Sequence, residues 1–175
     1  MGKMENEFAE RMEAFMVAEG WQPSLRTGAS RRQYFGEDRV REWIQSDFCA
    51  ILRGVPRNPT VIGELDTAPA DFEHNVAKYL WWVSKRKPFW EVPTILVSAF
   101  AEPGSANCLL HENIGRYLGG LLESAVPGTH HVIVGVRGEP RSFDVGQRLA
   151  ERSIEAIKPL LVGLGGEKVS ATGVR

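Results

Sequence analysis

Cysteine is scarce in this chain. Only Cys49 and Cys108 occur, 59 positions apart, so neither a disulfide framework nor the paired cysteines of a zinc ribbon or redox motif is available, and a reducing compartment fits best. Long apolar runs are missing as well. No stretch approaches the roughly 18 uncharged apolar residues that cross a bilayer, and Met1 to Arg11 is charged where a signal peptide is apolar. The expectation is a cytoplasmic protein with no membrane partner. An excess of either charge is absent too: 21 Lys and Arg stand against 22 Asp and Glu, a net charge of −1. No global positive field therefore advertises nucleic acid, and any such contact has to be local. There is no internal repeat.

What is present is the composition of an ordinary globular domain, 43% hydrophobic and 25% charged over 175 residues. A chain of this length buries about 70% of its unfolded surface without staples, so a bound metal would serve function rather than stability. Met4, Phe8, Met12, Phe15 and Met16 recur at helical spacing and predict an amphipathic helix over 4–19, with Gly20 as its C-cap. Residues 22–41 read as a polar, basic loop carrying Arg26, Arg31, Arg32, Arg39 and Arg41, with one short strand at Gln33 to Phe35. Two apolar runs, Asp47 to Arg53 and Thr60 to Asp66, flank the turn-rich Gly54-Val55-Pro56-Arg57-Asn58-Pro59 and predict a β-hairpin.

Ala68-Pro69-Ala70-Asp71 opens a helix running to about Lys85, with Phe72, Val76, Tyr79, Leu80 and Val83 on one face. Pro93 to Ala99 is a continuous apolar run, as in a strand buried on both faces. The helix expected over 107–125 is apolar around most of its girth, which marks it as central or as an interface. His131 to Val136 alternates like a strand, and a last helix spans 143–161, tolerating Pro159 only near its end. The fold class is α/β in one domain, a central mixed sheet flanked by helices over 1–162, with 163–175 a loose tail.

Chemistry concentrates in Val61-Ile62-Gly63-Glu64-Leu65-Asp66. Acids two apart on a strand project to the same face, and strand interiors disfavour them, so the pair needs an explanation. A hairpin symmetric between Val55 and Pro56 pairs residues whose numbers add to 111, which sets Asp47 opposite Glu64. Asp47, Glu64 and Asp66 then form one carboxylate cluster, whose mutual repulsion a hard divalent cation such as Mg²⁺ or Mn²⁺ relieves. Such an ion can activate water at a phosphodiester. The bland alternative is a solvated strand end whose acids pair with Arg53 or Arg57.

Ser46-Asp47-Phe48 opening one strand, Val61 to Asp66 on the next, then a helix and an apolar strand, together resemble the PD-(D/E)XK, or restriction-endonuclease-like, nucleases over Met4 to about Val97. The resemblance implies a restriction-endonuclease-like core and metal-dependent phosphodiester hydrolysis, with DNA as the expected partner. It implies Asp47 and Glu64 as metal ligands and catalytic residues, joined by Asp66 where the family has a Lys that orients or activates the attacking water. Lys78 on the following helix is the nearest replacement, although at 100° per residue it lies away from the Phe72, Val76 and Val83 face. Asn75 and Tyr79 resemble a reduced Gln-x-x-x-Tyr pattern of one branch of the family. Arg31, Arg32, Arg53 and Arg57 are the candidate nucleic-acid contacts, and a homodimer is expected through the apolar helix around Tyr117. The rival expectation is an inactive module of this fold that binds nucleic acid or assembles with protein.

Other features read as structural. Lys85-Arg86-Lys87 suits a helix C-terminus. Cys108 and His111 share a helix face without a second pair to complete a metal site. His130-His131 opens a strand, and Gly163 to Lys168 lacks the spacing of a phosphate loop.

Overall fold

The structure, a computed structural model, describes residues 3–23, 33–35, 44–52, 59–66, 69–86, 93–102, 107–138 and 141–165. Helix α1 (Lys3–Ala18) buries Met4, Phe8, Ala9, Met12 and Met16, the stripe that the 3.6-residue period demands. It ends in a Schellman arrangement: Trp21 N donates to Met16 O at 2.8 Å and Gly20 N to Val17 O at 3.0 Å. Gly20 has φ +85°, a conformation that a Cβ would penalise. Trp21, turned into the core, closes the motif.

Strands β1 (Gln22–Pro23), β4 (Phe48–Ile51), β5 (Thr60–Asp66), β6 (Thr94–Glu102) and β7 (His130–Arg137) form a mixed five-stranded sheet in the order β1-β4-β5-β6-β7. β2 (Gln33–Phe35) and β3 (Ile44–Ser46) pair antiparallel in a separate two-stranded sheet. The sequence reading contains β2 but neither β1, whose two residues are too few to display a period, nor β3. β4 and β5 are antiparallel, and their pairs, from Phe48 with Gly63 to Ile51 with Thr60, add to 111 as expected. β5, β6 and β7 run parallel, joined by α2 (Pro69–Arg86) and α3 (Asn107–Ala125), and α4 (Phe143–Gly165) follows β7.

Two hydrophobic layers hold the sheet. Phe48, Ala50, Val61, Leu65, Ile95, Val97 and Val134 face α1 and α4 and pack with Phe8, Met12, Leu149 and Ile157. Cys49, Ile62 and Leu96 face α2 and α3 and pack with Val76, Tyr79, Val83 and Leu122. Each of the large side chains withdrawn from water contributes about 1.5–3 kcal/mol before entropy is counted. β6 lies between β5 and β7 and is buried from Thr94 to Ala101, which explains its unbroken apolar run.

Pro159 lies inside α4, which runs on to Gly165, past the end expected at 161 and into the segment assigned to the tail. Glu155, whose carbonyl loses its helical donor to this proline, and Pro159 itself are both exposed, so water can take the freed group. Ile157 and Leu161 are buried on the opposite side and hold the helix in place. Among the described residues no helix is long and apolar enough to cross a membrane.

Candidate active site

The site forms where the chain passes from β4 to the C-terminal half of β5, beneath α2. Alternation along β5 aims Ile62, Glu64 and Asp66 at the α2 face, and both acids are buried, Glu64 to 4% exposure and Asp66 to 2%. Asp47 sits just before β4, at the break between the two sheets. Continuing the hairpin register by one pair sets it across from Glu64, and its Oδ2 accepts the Leu65 backbone N–H at 2.9 Å. Glu64 and Asp66 therefore share the face that α2 covers, while Asp47 stands in the bend just before the paired residues of β4.

Helix α2 starts at Pro69, where the missing N–H costs nothing, and lays three polar side chains over these acids. Asn75 Nδ2 donates to Asp66 Oδ1 at 2.5 Å. Tyr79 OH donates to Glu64 Oε1 at 2.6 Å, and Lys78 Nζ reaches the same oxygen at 2.7 Å and Asn75 Oδ1 at 3.1 Å. The helical projection that sets Lys78 away from the Val76 and Val83 face is sound for its Cα. Its four-carbon stem nevertheless runs along Tyr79, with Nζ 5.1 Å from the ring centroid, and brings the ammonium under the helix.

Burial pushes the Glu64 carboxyl up to about 7, against the pull of Lys78 and with a further push from Asp47. Burial, and then the Glu64 carboxylate beside it, holds Tyr79 well above the usual phenol range, so it stays a hydrogen-bond donor. Both donors to Glu64 converge on Oε1. The donor set of Asp47, Glu64 and Asp66 is all oxygen, as a hard cation prefers. Even so, no three Asp, Glu, His or Cys side chains among the described residues are gathered closely enough to hold an ion. Asp66 is turned toward Asn75 instead.

Arg31, Arg32, Arg53 and Arg57, the candidate nucleic-acid contacts, lie outside the described residues, as do Arg26, Arg39, Arg41 and Lys87. Trp81 is 49% exposed, as its place opposite the apolar face of its helix predicts. His111 Nδ1 lies 2.9 Å from Glu73 Oε2 and ties α3 to α2.

Sequence reasoning missed Ser98. It is the β6 neighbour of Glu64, is fully buried and lies 3.0 Å from His131 Nε2. The available signal was a lone hydroxyl inside the apolar run from Pro93 to Ala99. His131 packs so closely on α3 that a Cβ at Gly119 would fall 1.9 Å from its Nδ1. Burial, with Arg116 nearby, holds its imidazole down at about 4, hence neutral. The strand-opening histidine thus does the structural work expected of it.

Comparison with known proteins returned no match among family models, curated proteins or solved structures.

Proposed function

We propose that this chain is a metal-dependent nuclease of the restriction-endonuclease-like type that hydrolyses phosphodiester bonds, with DNA as its substrate. The observation that carries this reading is the approach of Lys78 to Glu64 at 2.7 Å. A lysine is absent from the strand position where Asp66 stands, and α2 returns one to the same carboxylate from the other side. The order of β4, β5, α2 and β6 supports the same reading, as does the bond that Asp47 Oδ2 accepts from the Leu65 N–H beside Glu64.

Asp47 and Glu64 would hold Mg²⁺ or Mn²⁺, since two carboxylates with water and substrate oxygens suffice. When bound, the ion would supply an activated water and a counter-charge for the phosphate. The chain's own residues do the rest. Tyr79 and Lys78 fix the Glu64 rotamer, Asn75 orients Asp66, and the Lys78 ammonium, 26% exposed, offers positive charge to a phosphate or an attacking water.

A second reading, an inactive module of this fold that binds nucleic acid or assembles with protein, is favoured by two observations. The Lys78 ammonium already occupies Glu64 Oε1, and no three-ligand group exists among the described residues. The deciding experiment incubates the chain with supercoiled plasmid, single-stranded DNA and RNA in Mg²⁺, Mn²⁺ or EDTA, beside Glu64→Ala and Lys78→Met. The nuclease reading expects metal-dependent cleavage that Glu64→Ala abolishes and Lys78→Met lowers by about 100-fold or more. Failure to cut any substrate under either metal overturns it and leaves the inactive module.

A further inference from the structure

We propose that α3 is a self-association surface, on which a second copy of this chain docks through the same stripe to form a two-fold dimer. Leu110, Ile114, Tyr117 and Leu121 follow one another at intervals of 4, 3 and 4 residues, the spacing of a coiled-coil seam, and they are 59%, 37%, 68% and 41% exposed. Leu109 beside them is 64% exposed. The adjoining side of the helix, with Leu118 and Leu122, packs on the α2 layer, which leaves the seam exposed.

Area chooses the occupant. At about 200 Å² for a large side chain in full exposure, these five leave on the order of 500 Å² of apolar surface open. A standard interface takes roughly 800 Å² from each partner, of which about 60% is apolar. One face therefore matches one half of a two-fold interface made with itself. Charge does not oppose the pairing, because Arg116 beside the seam already donates to Glu112 Oε1 at 3.0 Å within its own helix.

Gly120 is an independent observation. It is exposed in the interior of α3, where glycine costs helix stability, and a Cβ there would meet nothing within 4 Å among the described residues. Gly119 next to it makes room for His131, whereas no neighbour among the described residues uses the gap at Gly120. A second helix crossing at this point would use it.

The other route to self-association, strand pairing at the β7 edge, is guarded. Glu123 Oε1 accepts the His131 backbone N–H at 2.7 Å. Arg152 Nη1 donates to Gly135 O at 2.9 Å, and Arg148 Nη2 donates to Arg137 O at 3.2 Å. One backbone group each of His131, Gly135 and Arg137 is thus engaged by a charged side chain, which hinders the pairing of an added strand.

Sedimentation of the whole chain between about 1 and 100 µM tests the proposal without reference to any catalytic activity. The wild type should sediment at twice 19.5 kDa in the upper part of that range. Tyr117→Lys and Gly120→Leu should each weaken the dimer by about 10-fold or more. Both should leave far-UV dichroism unchanged and the melting temperature of the dilute chain equal or higher, since position 120 is open among the described residues. A wild type that stays monomeric at about 100 µM overturns the proposal, with this face then left to a different partner. A dimer of unchanged strength in both variants also overturns it, because the contact then lies elsewhere.

Discussion

Replacing Glu64 by Gln should stabilise this protein, and only on the alkaline side. Buried against Ile62 and Tyr79 on the α2 face, the Glu64 carboxyl keeps its proton to about 7, against 4.5 for the ordinary group. A group whose folded value is raised contributes its stability below the unfolded value and loses it as pH rises through the folded one. The interval from 4.5 to about 7 corresponds to about 3 kcal/mol at 1.36 kcal/mol per pH unit. That cost is nearly complete at pH 8 and below about 1 kcal/mol at pH 5. Glutamine keeps an oxygen for Tyr79 and Lys78 and carries no charge to desolvate. Glu64→Gln should therefore gain about 2–3 kcal/mol at pH 8, or roughly 5–10 °C in melting temperature for a domain of this size, and under about 1 kcal/mol at pH 5. The assay is thermal and urea unfolding of both chains at the two pH values in EDTA, so that no cation competes for the carboxylate. An equal difference at both pH values, or a loss at pH 8, refutes the reasoning. A site residue whose removal stabilises the fold is one that folding alone would not retain.

Two further outcomes concern the contact of β7 with α3. Gly119→Ala places a methyl where the His131 ring stands, with Nδ1 1.9 Å and Cγ 2.7 Å away, so the ring must leave Ser98, and urea unfolding should show a loss of about 2–3 kcal/mol. His131, held down at about 4 against an ordinary 6.5, contributes stability present above 6.5 and lost as pH falls toward 4. Its protonation costs up to about 3 kcal/mol. An His131→Asn variant should lose less stability than the wild type between pH 6.5 and 4, and a parallel decline in the two chains would contradict this.

Much of the fold was legible because its elements obey short-range rules. The 3.6-residue stripe of α1, the apolar run of β6 and the punctuation around 54–59 all depend on neighbours in sequence, and the register of β4 on β5 followed from the symmetry of one turn. Alternation alone determined that Glu64 and Asp66 share a face. What one strand and its turn cannot contain is the direction from which other elements arrive. The Lys78 ammonium reaches Glu64 only because α2 crosses above the end of β5, and a projection of the helix in isolation turns it away. Ser98 meets His131 across two parallel strands, 33 positions apart, at a distance that no local pattern encodes. The same holds for the apolar girth of α3. Its composition announced more apolar surface than one side could bury, but only the packed chain decided which side stays open, because burial is a property of the neighbours that a helix acquires and not of the helix itself.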